Sequence, residues 1–123
     1  MKKNRTPLAE AYFRFLQLAR TFQADTSEAA MDANERALLE AVALRWFEDE
    51  PMTVREAIAM ERLGSPATLH KRITRLRQKD MLVAFNQEGD RRAKYLIPSE
   101  KTLKMFAVLG SNMQKVHQPA SAS

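Results

Sequence analysis

The feature that most restricts the fold of this chain lies at residues 64–97, where the hydrophobic period changes once. Gly64-Ser65-Pro66 supplies a turn residue, a helix N-cap and a proline at the first helical position. Leu69, Ile73 and Leu76 then recur at i, i+4 and i+7, one face of a helix running to about Lys79. Asp80 stands where that helix must stop. From Met81 the spacing is that of strands. Met81–Phe85 and Arg92–Ile97 are short and apolar-rich, the second with Ala93, Tyr95 and Ile97 on one face. Asn86–Arg91 between them is a polar turn containing Gly89, so the pair predicts a β-hairpin.

The rest of the chain reads as helices. Pro7 suits a first turn, and Leu8, Tyr12, Phe15, Leu16, Ala19 and Phe22 form one stripe over 7–24, widened by Phe13 and Leu18. Residues 25–32 are small and polar and read as a loop. Asp32-Ala-Asn-Glu35 is close to a capping box and opens a helix to about Asp49. Leu38, Leu39, Val42, Trp46 and Phe47 line its buried face, and Pro51 ends it by disfavouring helical geometry in the residue before. Thr53-Val-Arg-Glu56 is a second capping box, starting a short helix to about Leu63 with Val54, Ala57 and Ile58 inward. Ser99 caps a last helix to about Val116, striped by Leu103, Phe106, Leu109 or Gly110, Met113 and Val116. Residues 118–123 hold no core-forming side chain and read as a disordered tail.

Helix, helix, short helix, tight turn, basic helix, hairpin, helix is the order of a winged helix-turn-helix. The fold class is mainly α with a small β-hairpin. In that architecture the second helix of the turn pair enters the major groove of DNA, and the hairpin beside it reaches the phosphates or the minor groove. Charge agrees. The net charge is +5, but residues 65–94 hold eight bases against three acids, while residues 25–64 hold four against ten. A compact basic block points to a polyanionic partner. With Leu69, Ile73 and Leu76 inward, Ser65, Ala67, Thr68, His70, Lys71, Thr74 and Arg75 lie near the exposed side of the helix over 65–79. Its first residues are small enough for close approach to a groove, and Lys71 and Arg75 are one turn apart. Arg91, Arg92 and Lys94 on the wing, residues 86–94, are the candidates for minor-groove or backbone contact.

Other classes find little support. With no Cys, disulfides, thiolate metal sites and a Cys nucleophile are excluded. His70 and His117 are isolated, so no metal or other cofactor is expected. There is no phosphate-cradling Gly loop and no nucleophile elbow, so no enzyme is expected. No apolar run approaches the roughly 20 residues that span a bilayer, and the first residues lack an apolar segment, so a cytoplasmic protein with no membrane partner is expected.

The stretch from Met52 to Val83 resembles the helix-turn-helix of the MarR family of bacterial regulators. Leu76-Arg-Gln-Lys-Asp80-Met-Leu82 is similar to the family's end of the recognition helix, with Asp80 in place of a glycine, and Asp tolerates left-handed backbone better than most residues. Asp90-Arg-Arg92 resembles the wing signature Asp-x-Arg, with Asp90 holding Arg92 by a salt bridge; Pro98-Ser99 stands where Leu-Thr would follow. The resemblance covers about residues 32–100. It implies a homodimer on double-stranded DNA, with dimerisation helices over 1–24 and 99–117 flanking a DNA-binding domain over 32–98. The interface residues would be Leu8, Tyr12, Phe15, Leu16, Phe22, Leu103, Phe106, Met113 and Val116. The family often carries a small-molecule effector pocket between the dimer arms and the DNA-binding lobe; an effector is compatible with this sequence but unsupported by it, because the family's two C-terminal helices are reduced to about one. Two function classes follow: a dimeric, sequence-specific transcriptional regulator, or a winged helix used for protein interaction or assembly. The basic block over 65–94 separates them, because a protein-docking wing does not need it.

Overall fold

A computed structural model describes residues 6–25, 31–87, 89 and 92–117 of this chain. Five helices and three short strands follow one another as α1 (Pro7–Asp25), α2 (Ala33–Phe47), β1 (Met52–Thr53), α3 (Val54–Ile58), a 3-10 turn (Glu61–Leu63), α4 (Pro66–Gln78), β2 (Leu82–Asn86), β3 (Lys94–Pro98) and α5 (Glu100–His117). They form two compact units, one of residues 31–103 and one of residues 1–30 with 104–123.

The unit of residues 31–103 is built on local signals that work as expected. Asp32 and Thr53 each accept from the N–H three residues on, and Glu35 and Glu56 each accept from the cap N–H in return, so both capping boxes close. The short helix after Thr53 breaks after Ile58 and resumes as the 3-10 turn, rather than running unbroken to Leu63. Gly64 follows at φ 146°, in the region that favours glycine, and a Cβ there would sit 3.2 Å from Arg72 Nη1. α4 ends as Asp80 enters the left-handed region at φ 58°. The Asp80 N–H donates to Arg77 O and the Met81 N–H to Leu76 O, the Schellman pattern. α2 ends the same way: Asp49 is at φ 63°, and the N–H groups of Asp49 and Glu50 donate to Trp46 O and Arg45 O. Its stop is therefore Asp49, with Pro51 only following it.

The β-structure is larger than a hairpin. β2 and β3 pair antiparallel from Leu82 opposite Pro98 to Asn86 opposite Lys94, and β1 adds a third strand on the other edge of β3, Met52 opposite Leu96. Two residues are too few for any alternation to announce a strand. β3 also starts two residues later than its apolar run suggests. Leu96 and Pro98 are its buried side, whereas Ala93, Tyr95 and Ile97 are half-buried on the opposite one. The core is Leu38, Leu39, Val42 and Ala43 of α2, Ala57 of α3, Leu69, Ile73 and Leu76 of α4, and Met52, Met81, Leu82 and Leu96 around the sheet. Val54 and Ile58 are half-buried. The last turn of α2 departs from expectation. Trp46 is only half-buried, and Phe47 is 76% exposed with Leu44 exposed beside it, because the buried layer ends at Ala43.

α5 is fastened to the end of α4 through its first turn. The Ser99 hydroxyl accepts from the Thr102 N–H and donates to Asp80 O at 2.6 Å, while Thr102 Oγ1 donates to Met81 O at 2.6 Å. No buried side-chain polar atom among the described residues lacks a partner.

The other unit holds α1 and the part of α5 from Lys104. Thr6 caps α1, accepting from the Ala9 N–H, and Pro7 takes the first helical position as the sequence suggests. Of the expected dimer residues, Leu8, Tyr12, Leu16 and Met113 are exposed, as is Leu103 in the first turns of α5. Phe15 and Phe106 are half-buried. Phe13 and Val108 are exposed as well, and Tyr12 stacks on Phe15 with ring centroids 6.3 Å apart. The side chains of Phe22 and Val116 lie outside the described residues. So does the expected tail over 118–123. No helix among the described residues is long and apolar enough to cross a membrane.

Candidate nucleic-acid interface

Helix α4 has four sides in four kinds of surroundings. Leu69, Ile73 and Leu76 are buried. On the opposite side, set by the 3.6-residue period, stand Ala67, Lys71, Thr74 and Gln78, all exposed. On the flank toward the wing an open groove is lined by Thr74, Arg77 and Gln78 of α4 and by Leu82, Val83 and Ala84 of β2. The remaining flank carries Arg72, Arg75 and Lys79 and meets the start of α2.

The expected contact residues fall unevenly on these faces. Ser65 is the N-cap: its Oγ accepts from the Thr68 N–H at 3.2 Å and donates to Thr68 Oγ1 at 2.9 Å. Thr74 donates its hydroxyl to His70 O at 3.0 Å. In this arrangement Ser65 and Thr74 meet a ligand as acceptors, because their protons are already engaged within the helix. Ala67, His70 and Lys71 are exposed, and Thr68 is half-buried. Lys71 makes no ion pair among the described residues. Arg75 does. Its Nε lies 3.8 Å from Glu35 Oε2, and the same carboxylate accepts from Lys79 Nζ at 3.2 and 3.3 Å. Arg72 donates from Nη1 to Leu63 O at 2.9 Å and so ties α4 to the turn before it.

Charge at the start of α2 answers that of α4. The Glu35 N–H donates to Asp32 Oδ1 at 2.7 Å and holds the Asp32 carboxyl below its ordinary value. Partial desolvation works against this, and the Asn34 N–H and the charges of Arg72 and Arg75 add to the lowering.

The wing is braced at its base. Phe85 and Tyr95 face each other across the strands, ring centroids 5.9 Å apart, and Asn86 Nδ2 donates to Ala93 O at 2.9 Å. Gly89 turns the tip at φ 86°. Arg92 and Lys94 are exposed at the foot of the turn. Arg91 and Asp90, the latter the expected partner of Arg92, lie outside the described residues.

Three residues of this surface are absent from the sequence reading. Gln78 follows Thr74 by four and Lys71 by seven, so the helical period alone marks it. Arg77 follows His70 by seven, and only the position of β2 makes its flank a groove. Glu35 has no local signal for its second role, since Lys79 lies 44 residues away. Among the described residues no cluster of His, Asp and Glu is placed to hold a metal ion.

No family model and no curated protein matches the sequence. Solved structures do. A MarR-like transcriptional regulator from Thermotoga maritima superposes with a TM-score of 0.61 at 19% identity, covering 92% of this chain and 79% of that one. The chain has the MarR-like winged-helix fold. A second transcriptional regulator from T. maritima gives a TM-score of 0.60 at 18% identity, over 88% of this chain and 70% of that one. The S. aureus MepR–DNA complex gives 0.59 at 14%, over 87% and 86%. At these identities it is the MarR-like fold that is shared.

Proposed function

We propose that this chain is a dimeric, sequence-specific regulator of transcription that binds double-stranded DNA, acting in the cytoplasm and not as an enzyme. The observation that carries the reading is the outer face of α4. Small Ala67 leads, Lys71, Thr74 and Gln78 follow on one line, Arg77 borders the groove beside them, and the exposed wing cations Arg92 and Lys94 lie on the same domain. That is a close-fitting surface with base-reading and phosphate-binding groups and a neighbouring arm for the backbone or minor groove. MepR, which has this fold, has been solved on DNA. Ser65, Thr68, His70 and Arg75 complete the proposed contact set at the rim of α4, with Arg91 on the wing.

The dimer part of the proposal rests on apolar exposure. Leu8, Tyr12, Phe13, Leu16, Val108 and Met113 are exposed on α1 and α5, and large contiguous apolar patches are rare on monomers. The interface set of the sequence reading, from Leu8 to Val116, and its division into two dimerisation helices around a DNA-binding domain are proposed on that ground. A two-fold dimer sets half-sites about 10–10.5 base pairs apart, so the operator is an imperfect palindrome.

Selection of bound sites from random duplexes tests binding, specificity and symmetry together. The expected result is an inverted repeat whose retention falls steeply with salt. Recovery of no duplex above background would leave the protein-interaction reading in its place.

A further inference from the structure

We infer that Glu35 is a positioning residue for DNA recognition: its buried carboxylate attracts Arg75 beside the outer face of α4 and withholds Lys79 from the phosphates. The inference rests on the DNA-binding reading above.

Glu35 occupies the third position of α2 and is 1% exposed. Its cap duty is to accept from the Asp32 N–H, which it does at 3.3 Å. Glutamine fills that position of a capping box as well as glutamate does, so the cap does not require a charge. The charge answers to α4 instead. A buried carboxylate must be paired, and its partners here are both cations of the proposed DNA-reading helix, Lys79 at 3.2 Å and Arg75 at 3.8 Å. The two are held differently. Lys79, 27% exposed on its side chain, gives Nζ to both carboxylate oxygens. Arg75, 59% exposed, meets the carboxylate through Nε, and its two terminal nitrogens make no ion pair among the described residues. A guanidinium attracted to a carboxylate on its Nε side, here at 3.8 Å, leaves its terminal donors on the solvent side, where a phosphate or a guanine edge can take them. Removing the charge of Glu35 should therefore loosen Arg75 and weaken the hold of this carboxylate on Lys79 at once. Binding then gains phosphate contacts and loses discrimination.

The experiment compares the wild type with Lys71→Ala, Glu35→Gln and Lys79→Met. Each is titrated over a range of salt against the selected duplex and a scrambled duplex, with thermal melts to establish folding. For Glu35→Gln the slope of log affinity against log salt should steepen by about 0.9 for each added phosphate contact. The ratio of selected to scrambled affinity should fall about five-fold or more, the low end of what one well-placed bidentate contact discriminates. In an Arg75→Ala background the same substitution should leave the ratio unaltered. Lys79→Met should act in the opposite direction: the carboxylate keeps Arg75 alone, draws it inward, and the slope becomes shallower by about 0.9. A merely structural Glu35 predicts a lower melting temperature with slope and ratio as in the wild type, and that result in a folded Glu35→Gln overturns the inference. If Glu35→Gln does not fold, Lys79→Met decides: a slope made shallower in the wild-type background but not in an Arg75→Ala background supports the proposal, and a slope unaltered in the first or shallower in both overturns it. Failure of the underlying reading looks different: the wild type itself then binds neither duplex and Lys71→Ala changes nothing, and both proposals fall together.

Discussion

The two flanks of α4 carry like charge in unlike surroundings. Toward α2, Arg72 holds the Leu63 carbonyl, and Arg75 and Lys79 share the Glu35 carboxylate. Toward the wing, Arg77 borders an open groove, and neither it nor Lys71 on the outer line forms an ion pair among the described residues. The first flank therefore spends Arg72 and Lys79 on the fold and leaves Arg75 only partly engaged, and the second keeps its cations for a partner. A tally of bases along residues 65–94 overstates what a polyanion meets, because like residues on one helix differ in what faces them across the interior.

The largest effect should come from the line that supports both flanks. Leu69→Ala or Leu76→Ala removes a fully buried side chain and is expected to cost about 2–5 kcal/mol in denaturant unfolding. A cost well below that range would mean the flanks do not depend on a shared core. Next, Arg72→Ala leaves the Leu63 carbonyl without its donor and should cost about 1–3 kcal/mol of stability. The adjacent Lys71→Ala should change stability by less than about 0.5 kcal/mol yet weaken the selected duplex by about 1–3 kcal/mol. Equal unfolding curves for these two variants would erase the contrast between the flanks.

Arg77→Ala should have a smaller and sequence-independent effect, lowering the salt slope by about 0.9 on selected and scrambled duplexes alike. A change confined to one position of the site would make Arg77 a base reader instead.

The smallest effect concerns acid. Asp32 and Glu56 are held below their ordinary values of 3.8 and 4.5, first by the cap N–H groups of Glu35 and Thr53. Folded values below unfolded ones give stability that is complete above the ordinary value and disappears as pH falls through the folded value. Asp32→Asn keeps a good cap and should match the wild type at pH 7 while losing less stability between about pH 5 and 2. Parallel acid profiles would show that the charge of Asp32 contributes nothing to the α2-side flank.

The sequence by itself determined what depends on neighbours within about one helical turn. Asp32 with Glu35 and Thr53 with Glu56 are caps closed over three residues, and Ser65-Pro66 starts α4 on the same scale. The Leu69–Ile73–Leu76 line is a period, and Asp80 is a stop written in one residue's tolerance of positive φ. Asp49 is the same stop, hidden because Pro51 offered a plausible one two residues later. Tertiary structure decided what depends on groups brought together from far along the chain. β1 exists only because Met52 finds Leu96 across the sheet. Phe47 is exposed because the buried layer ends at Ala43, although its spacing along α2 is that of a core residue. Glu35 reads as a cap residue and becomes the counter-ion of the groove helix because packing brings Lys79 and Arg75 to it. The physical reason is the same in each case: capping and periodicity act over fixed covalent distances, whereas strand pairing, burial and ion pairing depend on which distant segments the core draws into contact.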